Sequence, residues 1–557
     1  MNAPEPAPSG SPRAVPPEVE RATVVIIGAG FAGLGAAIQL RKQGIRDILI
    51  LERAGDVGGT WRDNVYPGCA CDVPSHLYSF SFELNPDWSH HYAGQQEIHD
   101  YLTRVRRKHG LDACIRFGAD CTRSEFDEKT GEWTVHAADG RRFVGRFLVA
   151  GMGPLRVPRI PDLPGRDRFH GPAMHSAEWE PTIDLTGKRV GVVGAGASAI
   201  QVVPEIADQA GHVHVFQRTP PWVAPRFDPA YPDWLHGAFR AVPPLMWLLR
   251  ALIYLRQEAY FFTAFKGPRW LRDAVRKMFT DHIVREMGCY DAALPVLPTY
   301  TPGCKRILSS SDWYPTLLRH DVSLHPHAVA EVTDTGVVLA NGKSVDLDVL
   351  IWCTGFVVDE PLGAAEVYGS GGRSLRAFWD GRPKAHLGIT VPGFPNLFLL
   401  LGPNTGLGHN SVVIMIEAQI RYIRRAIGHT LARGPRTWMA PKAAALEAFD
   451  PQALAAYRIS WRRPETIRAM CDDYRAALEL DFAADAADLD RRVPCPALVL
   501  YGRDGLMARA YDVGATWAER LERMETRAMP GGHFFPDLET EETTQALLEF
   551  LTRQPAL

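Results

Sequence analysis

Two copies of one glycine-rich pattern constrain this chain more than any other feature. A β-branched run, Ala22 to Ile27, leads into Gly28-x-Gly30-x-x-Gly33 and an Ala/Leu-rich stretch to about Gly44. A second apolar run, Ile48 to Leu51, ends at Glu52. The pattern predicts strand, helix and strand within about thirty residues. The first glycine permits a tight turn, the second lets a pyrophosphate approach the backbone, and the third lets helix and strand pack closely. The helix start then offers free N–H groups and a positive dipole end to phosphates. A lone G-x-G-x-x-G is weak and fits an ordinary glycine turn. Here the context is complete, because Glu52 ends the second strand, where its carboxylate can bond both ribose hydroxyls.

The pattern recurs. Arg189 to Val193 reads as a strand, Gly194-x-Gly196-x-x-Ala199 as the turn, a helix follows through Ile206, and His212 to Gln217 is the next strand. This strand runs into Arg218-Thr219 rather than Asp or Glu. A carboxylate there would repel a ribose 2′-phosphate, whereas an arginine pairs with it bidentately. The second dinucleotide is therefore expected to be NADPH rather than NADH, held by Gly194, Gly196, Ala197, Ser198, Gln201, Arg218 and Thr219. Lys305 is a candidate second cation for the same phosphate. The competing view of Arg218 is a solvated surface arginine.

The remaining pattern is α/β. Phe147 to Ala150, Val349 to Cys353 and Leu397 to Leu401 read as buried strands, and a long helix runs from about Ser411 to Gly428. Alternating strands and helices predict two nested, Rossmann-like parallel sheets with helices on both faces. The expected division is a disordered tail at 1–20, a discontinuous first domain at 21–160 and 345–441, and a second domain at 161–344. A helical insert is expected at about 222–290, and a separate C-terminal segment at 450–557. The tail is rich in Pro, Ala, Ser and Glu and lacks the basic start and apolar stretch of a signal peptide. Val242 to Phe265 is the most hydrophobic region, but Pro243, Pro244, Arg250, Arg256 and Glu258 interrupt it. That excludes an integral span and points to amphipathic helices lining a substrate cavity, with a membrane-surface helix as the alternative.

A net charge of −3 gives no field for nucleic acid. The nine cysteines include no C-x-x-C pair, and Cys69 and Cys71 are too close for finger spacing. Reduced thiols in a cytoplasmic protein without a structural metal are expected.

Six further segments point to a family. Gly58-Gly59-Thr60-Trp61 is a glycine bend followed by an indole. Tyr66-Pro67-Gly68-x-x-x-Asp72 and Gly303-Cys304-Lys305-Arg306 each carry a charged residue at a fixed place. Asp348 to Phe356 contains Cys353-Thr354-Gly355, and Leu401-Gly402-Pro403-Asn404-Thr405 precedes the long helix. Between the glycine patterns lies Phe169-x-Gly171-x-x-x-His175-x-x-x-Trp179, followed by Glu180. Together these resemble the class B flavoprotein monooxygenases over about Ala22 to Pro441. The last segment resembles the Baeyer–Villiger fingerprint, which ends in Trp followed by Pro or Asp. Glu180 departs from that ending, so oxygenation of amines or sulfides stays open beside oxygenation of ketones.

The resemblance implies FAD at the first site, with Gly28, Gly30, Phe31, Gly33, Glu52, Arg53, Gly59, Thr60, Trp61, Asp72, Tyr78 and Asn404 among its contacts. It implies that NADPH reduces the flavin and that O2 then forms a C4a-peroxyflavin. This oxidant inserts one oxygen beside the carbonyl of a small hydrophobic ketone to give an ester or lactone. Such chemistry needs a cation beside the developing oxyanion. Arg306 is the candidate, with Asp72 holding it; the alternative is a purely structural ion pair. His175 is expected to brace the linker between domains, with acid–base catalysis as the lesser reading.

The C-terminal segment resembles something else. Asp450 to Asp473, Cys495 through Gly502 and Pro530-Gly531-Gly532-His533-Phe534 are similar to the end of an α/β-hydrolase of the haloacetate dehalogenase type. The resemblance implies a base at His533 and an acid at Asp504. No G-x-S-x-G elbow supplies a nucleophile, so a docked remnant is expected rather than a second enzyme. The tryptophan-rich terminal segment usual in the monooxygenases is not recognisable here.

Overall fold

A computed structural model of the chain describes residues 19–261, 267–358, 365–435, 437–441, 492–505, 508, 510–531, 536 and 539–553. The chain divides into two compact units, 1–441 and 442–557.

The first unit holds two nucleotide-binding sheets. In the first sheet, Val19–Ile27 lies between Ile48–Leu51 and Arg142–Ala150 and runs parallel to both. The sequence of these strands explains their place. Val24, Val25 and Ile26 are fully buried because the helix Phe31–Lys42 covers one face of the sheet and side chains such as Trp133, Phe143 and Phe394 fill the other. A strand buried on both faces must be apolar at successive positions, not at alternate ones. The strand also begins earlier than expected. Val19 and Glu20, assigned to the tail, pair with Arg142 and Phe143, and the Glu20 carboxylate accepts from Arg116 Nε at 2.7 Å.

The second sheet is wholly parallel. Its order is Val322–His325, His212–Phe216, Arg189–Val193, Val349–Trp352 and Ala173–His175. Val349–Trp352 therefore belongs to the second domain, and the expected boundary at 345 falls too early. The chain returns to the first sheet only with Glu366–Tyr368 and Leu397–Leu399. In both sheets the glycine turn follows a strand flanked on its two sides by later, parallel strands, so the chain crosses over to one side and then to the other, and the turn lies at the crevice where open α/β sheets bind ligands.

The insert forms helices Asp233–Ala241, Pro244–Phe261 and Arg269–Glu286. Among the described residues, none of these helices contributes to the lining of the large cavity described below. Instead the Pro244–Phe261 helix turns Met246, Arg250 and Ile253 inward and leaves Leu245, Leu248, Leu252 and Leu255 exposed. Among the described residues no single helix is long and apolar enough to cross a membrane. The first two insert helices pass that test together only across a 113° bend.

The second unit contains a parallel pair, Val493–Gly502 with Leu521–Met529, joined through the helix Val513–Ala518 and followed by Thr540–Thr552. Its described core is small: Met529 and Ala546 are buried, with Leu500 against them. Asp504 follows the first strand, and its N–H donates to Gly531 O at 2.9 Å. His533 and the segment Asp450 to Asp473 lie outside the described residues.

Candidate functional site

Both glycine turns open into one cavity of about 1290 Å³. The turns are built alike. Gly28 has φ +98°, and a Cβ there would lie 2.6 Å from Gly151 O at the end of the neighbouring strand. Gly194 has φ +120°, and its Cβ would lie 2.4 Å from Cys353 O. Each first glycine is thus required both by its left-handed backbone and by a carbonyl against it. Gly33, which does not line the cavity, packs helix on strand: its Cβ would fall 1.8 Å from Gly28 O. By contrast a Cβ on Gly196 would meet nothing within 4 Å, so the space beside this turn is open towards the cavity.

At the first turn, Gly28, Gly30, Phe31, Glu52, Arg53, Gly59, Thr60, Trp61 and Tyr78 all line the cavity. Glu52 is buried and already engaged. Its Oε2 accepts from Ala29 N at 2.9 Å, and its Oε1 accepts from Ala54 N at 3.0 Å and Arg62 Nη1 at 2.9 Å. A carboxylate offers about four acceptor positions, so roughly one remains, enough for one ribose hydroxyl rather than both. Burial opposes the charge of Arg62, but Glu52 and Asp63 outweigh it and raise its pKa above the ordinary value. Beyond the turn, Trp61 Nε1 donates to Tyr78 Oη at 3.1 Å, and Phe31 meets the Tyr78 ring edge-on at 5.2 Å. Arg53 pairs with Asp63 at 3.0 Å.

At the second turn, Gly194, Gly196, Ala197, Ser198, Gln201, Arg218, Thr219 and Lys305 line the cavity. Arg218 stands exposed just past the strand His212–Phe216, and among the described residues no carboxylate pairs with it. Lys305 Nζ lies 5.1 Å over the Tyr300 ring. The two halves meet closely here. Tyr66 Oη donates to Gln201 Oε1 at 2.9 Å, Gln201 Nε2 donates to Ala70 O at 3.0 Å, and a Cβ on Gly68 would lie 2.8 Å from Gln201 O.

Between the turns sit Asp72 and Arg306. Arg306 Nε and Nη2 donate to the two oxygens of Asp72, each at 2.7 Å, and Nη1 reaches Leu407 O at 3.4 Å. Burial works against the guanidinium charge, but the Asp72 carboxylate more than compensates and raises the pKa of Arg306. The nearby thiols are in the opposite state. Burial pushes Cys69 up to about 11 and Cys353 up to about 12. Both stay protonated at neutral pH and are poor nucleophiles.

Asn404 lies outside the cavity lining, and so do Phe169, Gly171, His175 and Trp179. Asn404 has φ +62° and turns the loop whose other residues, Leu401 and Asn410, reach the cavity. A Cβ on Gly171 would lie 2.3 Å from Asp348 O, Phe169 packs on the second sheet, and Trp179 packs on its other face. His175 is buried at the end of its strand, accepts from Ala177 N at 3.1 Å and packs edge-on against Phe356 at 5.7 Å. Burial lowers its pKa. These four residues therefore brace the second sheet.

Sequence reasoning missed Arg62, Asn410, Val412 and Ile416. Arg62 carries no motif, although its place one residue after Trp61 on the helix Thr60–Asp63 puts it near Glu52. The other three follow the loop at the start of the helix Val412–Ala432 and line the cavity.

Two helix starts with glycine-bared backbone, an acidic strand end at one and, at the other, an arginine with no carboxylate partner among the described residues suit two dinucleotides in one cavity. Its volume exceeds the roughly 300–1,000 Å³ of a single small-ligand pocket. Comparisons with known proteins agree. Residues 25–240 match the family model "Pyridine nucleotide-disulphide oxidoreductase". The chain is 42% identical to a Baeyer–Villiger monooxygenase of Pseudomonas aeruginosa over 417 residues, covering 75% of this chain and 79% of that protein. It is 41% identical to one of Streptomyces coelicolor over 454 residues, covering 80% and 85%. The structure matches cyclohexanone monooxygenase from Rhodococcus sp. Phi1 bound to NADP+ with a TM-score of 0.70 and 28% identity, covering 77% and 88%. It matches an oxidised steroid monooxygenase bound to NADP with a TM-score of 0.68 and 31% identity, covering 80% and 91%. The chain belongs to the Baeyer–Villiger class of flavoprotein monooxygenases, with FAD and NADP(H) as its cofactors.

Proposed function

We propose that this enzyme oxygenates a small hydrophobic ketone at the Arg306 end of the cavity, with Arg306 beside the reacting atoms and Asp72 as its holder. The observation that carries this reading is the bidentate Asp72–Arg306 pair, placed in the one cavity that both glycine turns share. When bound, the reduced flavin supplies the activated oxygen. The overall balance consumes ketone, O2, NADPH and a proton, and yields ester or lactone, NADP+ and water.

The chain's own residues account for the rest. A guanidinium has five N–H donors, two of which are committed to Asp72 and one of which is on Leu407 O, leaving roughly two for an oxygen that gains negative charge. Because Asp72 holds both Nε and Nη2, the guanidinium plane is fixed and its open edge is presented without reorganisation. Leu308, Leu401, Val412 and Ile416 offer apolar wall for a hydrophobic substrate. Glu52 orients the first cofactor's ribose, and Arg218 with Lys305 takes the 2′-phosphate of NADPH.

The test is ketone-stimulated NADPH oxidation with product analysis. Ester or lactone in step with NADPH use supports the reading. Product only from matched sulfides or amines would move the enzyme to heteroatom oxygenation.

For residues 450–557 we propose a hydrolase-like remnant without its own activity. The β–α–β arrangement of Val493–Gly502 with Leu521–Met529 and the bond from Asp504 N to Gly531 O support this reading; His533 lies outside the described residues. His533→Ala is expected to leave ketone oxygenation within a few-fold of the parent. Ester or halide hydrolysis that disappears in that variant would overturn the remnant reading.

A further inference from the structure

The loop from Leu401 to Asn410 lines the cavity at its two ends, yet its backbone is poorly suited to hold itself there. Leu401 and Asn404 have φ +52° and +62°, a left-handed conformation that L side chains resist. One end is pinned by Gln419, whose Oε1 accepts from Leu401 N at 2.9 Å. The other end is held from outside the flavin-binding sheet.

We propose that Glu258, on the Pro244–Phe261 helix of the insert, is a positioning residue that latches this loop, and through the loop orients the open edge of Arg306. Its Oε1 accepts from Asn410 Nδ2 at 2.7 Å and lies 3.2 Å from His409 Nε2. Asn410 is buried, and its amide is used at both ends, because Oδ1 accepts from Ser411 N at 2.8 Å. Ser411 Oγ in turn accepts from Val413 N at 3.3 Å and starts the helix that carries Val412 and Ile416 to the cavity. Three residues before Asn410, Leu407 O meets Arg306 Nη1.

Glu258 is itself well anchored. Arg250 lies eight residues earlier, about 12 Å along the helix. It is buried, and its Nη1 donates to His76 O at 2.7 Å and Ser79 O at 3.0 Å. The insert helix thus grips the flavin-binding part at two points, one structural and one on the catalytic wall. An ordinary half-exposed ion pair between His409 and Glu258 would contribute little. The difference here is that the same carboxylate oxygen also sets a buried amide whose neighbours form the cavity.

The last step rests on the proposed role of Arg306; the latch does not. The experiment compares FAD-loaded full-length enzyme with Glu258→Ala and Glu258→Gln. Hydrogen exchange is read over residues 401–412, with melting temperature and the fraction of NADPH that yields oxygenated product. Glu258→Ala is expected to speed exchange in the loop by about tenfold with melting nearly unchanged. Coupling to product should fall several-fold, with more NADPH lost to hydrogen peroxide. Glu258→Gln keeps an oxygen acceptor for Asn410 and should restore both. Unchanged loop exchange in Glu258→Ala overturns the latch, whatever the product yield. Faster exchange with unchanged coupling overturns the link to Arg306. If Glu258→Ala does not retain FAD, Glu258→Asp, whose carboxylate falls short of Asn410, carries the same comparison. A parent enzyme that makes no ketone product would defeat the proposed function while leaving the exchange result interpretable.

Discussion

Arg306 and Asp72, 234 residues apart in the chain, meet through two near-parallel 2.7 Å hydrogen bonds. Two properties follow from that pairing: a fixed guanidinium plane and a charge that persists across the working pH range. Arg306→Ala is expected to retain FAD but to lose ketone oxygenation by on the order of a hundredfold or more. Arg306→Lys should not rescue it, because a single ammonium cannot engage both Asp72 oxygens and still present an open edge. Flavin absorbance and product yield in the two variants check this, and near-parent product from Arg306→Ala would remove the residue from the mechanism.

Arg218 has no carboxylate partner among the described residues, so its charge is available for a ligand. Arg218→Ala should weaken NADPH by about thirtyfold, corresponding to roughly 2 kcal/mol for a lost charge-assisted phosphate contact. NADH binding should change little. Titration with both nucleotides decides the matter, since equal losses would make Arg218 a structural residue.

Glu52 and Arg62 form a pair with side chains only 5% and 15% exposed. Removing the carboxylate leaves the N–H groups of Ala29 and Ala54 without their acceptor, while Arg62 keeps Asp63 and the Asp56 carbonyl. Glu52→Ala should therefore cost about 1–3 kcal/mol of stability and release FAD on dilution. Chemical unfolding and flavin retention after gel filtration measure both. Glu52→Gln, which keeps the acceptor but loses the charge, should fall between.

His214 and His325 face each other across the edge of the second sheet, Nδ1 to Nε2 at 3.2 Å, with His212 beside them. Burial, reinforced by neighbouring positive charge, lowers both to about 4. Unfolding returns them towards 6.5, so between those values the unfolded chain binds more protons. The neutral imidazoles contribute stability that is present above pH 6.5 and is lost as pH falls towards about 4. Melting temperature should drop across that window, and His214→Gln should flatten the slope. A parallel pH profile for the variant would contradict this assignment.

Local patterns in the sequence foretold much of the architecture. Both strand–turn–helix units stand where the glycines put them, because a left-handed turn and a close carbonyl are requirements written into a few adjacent residues. What failed was long-range. Val349–Trp352 reads as a buried strand from its apolar run, but nothing in that run says which sheet it joins; the pairing with Arg189–Val193 decides it. The insert reads as apolar helices, yet the direction of Leu248 and Leu252 depends on packing by Arg250 and Ile253 against distant segments. Asp72 and Arg306 were legible through family resemblance. Glu258 was not legible, because its partners His409 and Asn410 lie about 150 positions away with no local signature.

On the proposed mechanism, one atom of O2 enters a ketone in the cavity beside Arg306. It is tested most directly by mass spectrometry of the product formed from a hydrophobic cyclic ketone under 18O2 with NADPH. The expected product is a lactone that carries one labelled oxygen in the ring, formed in step with NADPH oxidation and lost in Arg306→Ala. NADPH oxidation that yields only hydrogen peroxide, or a product without label, would contradict it.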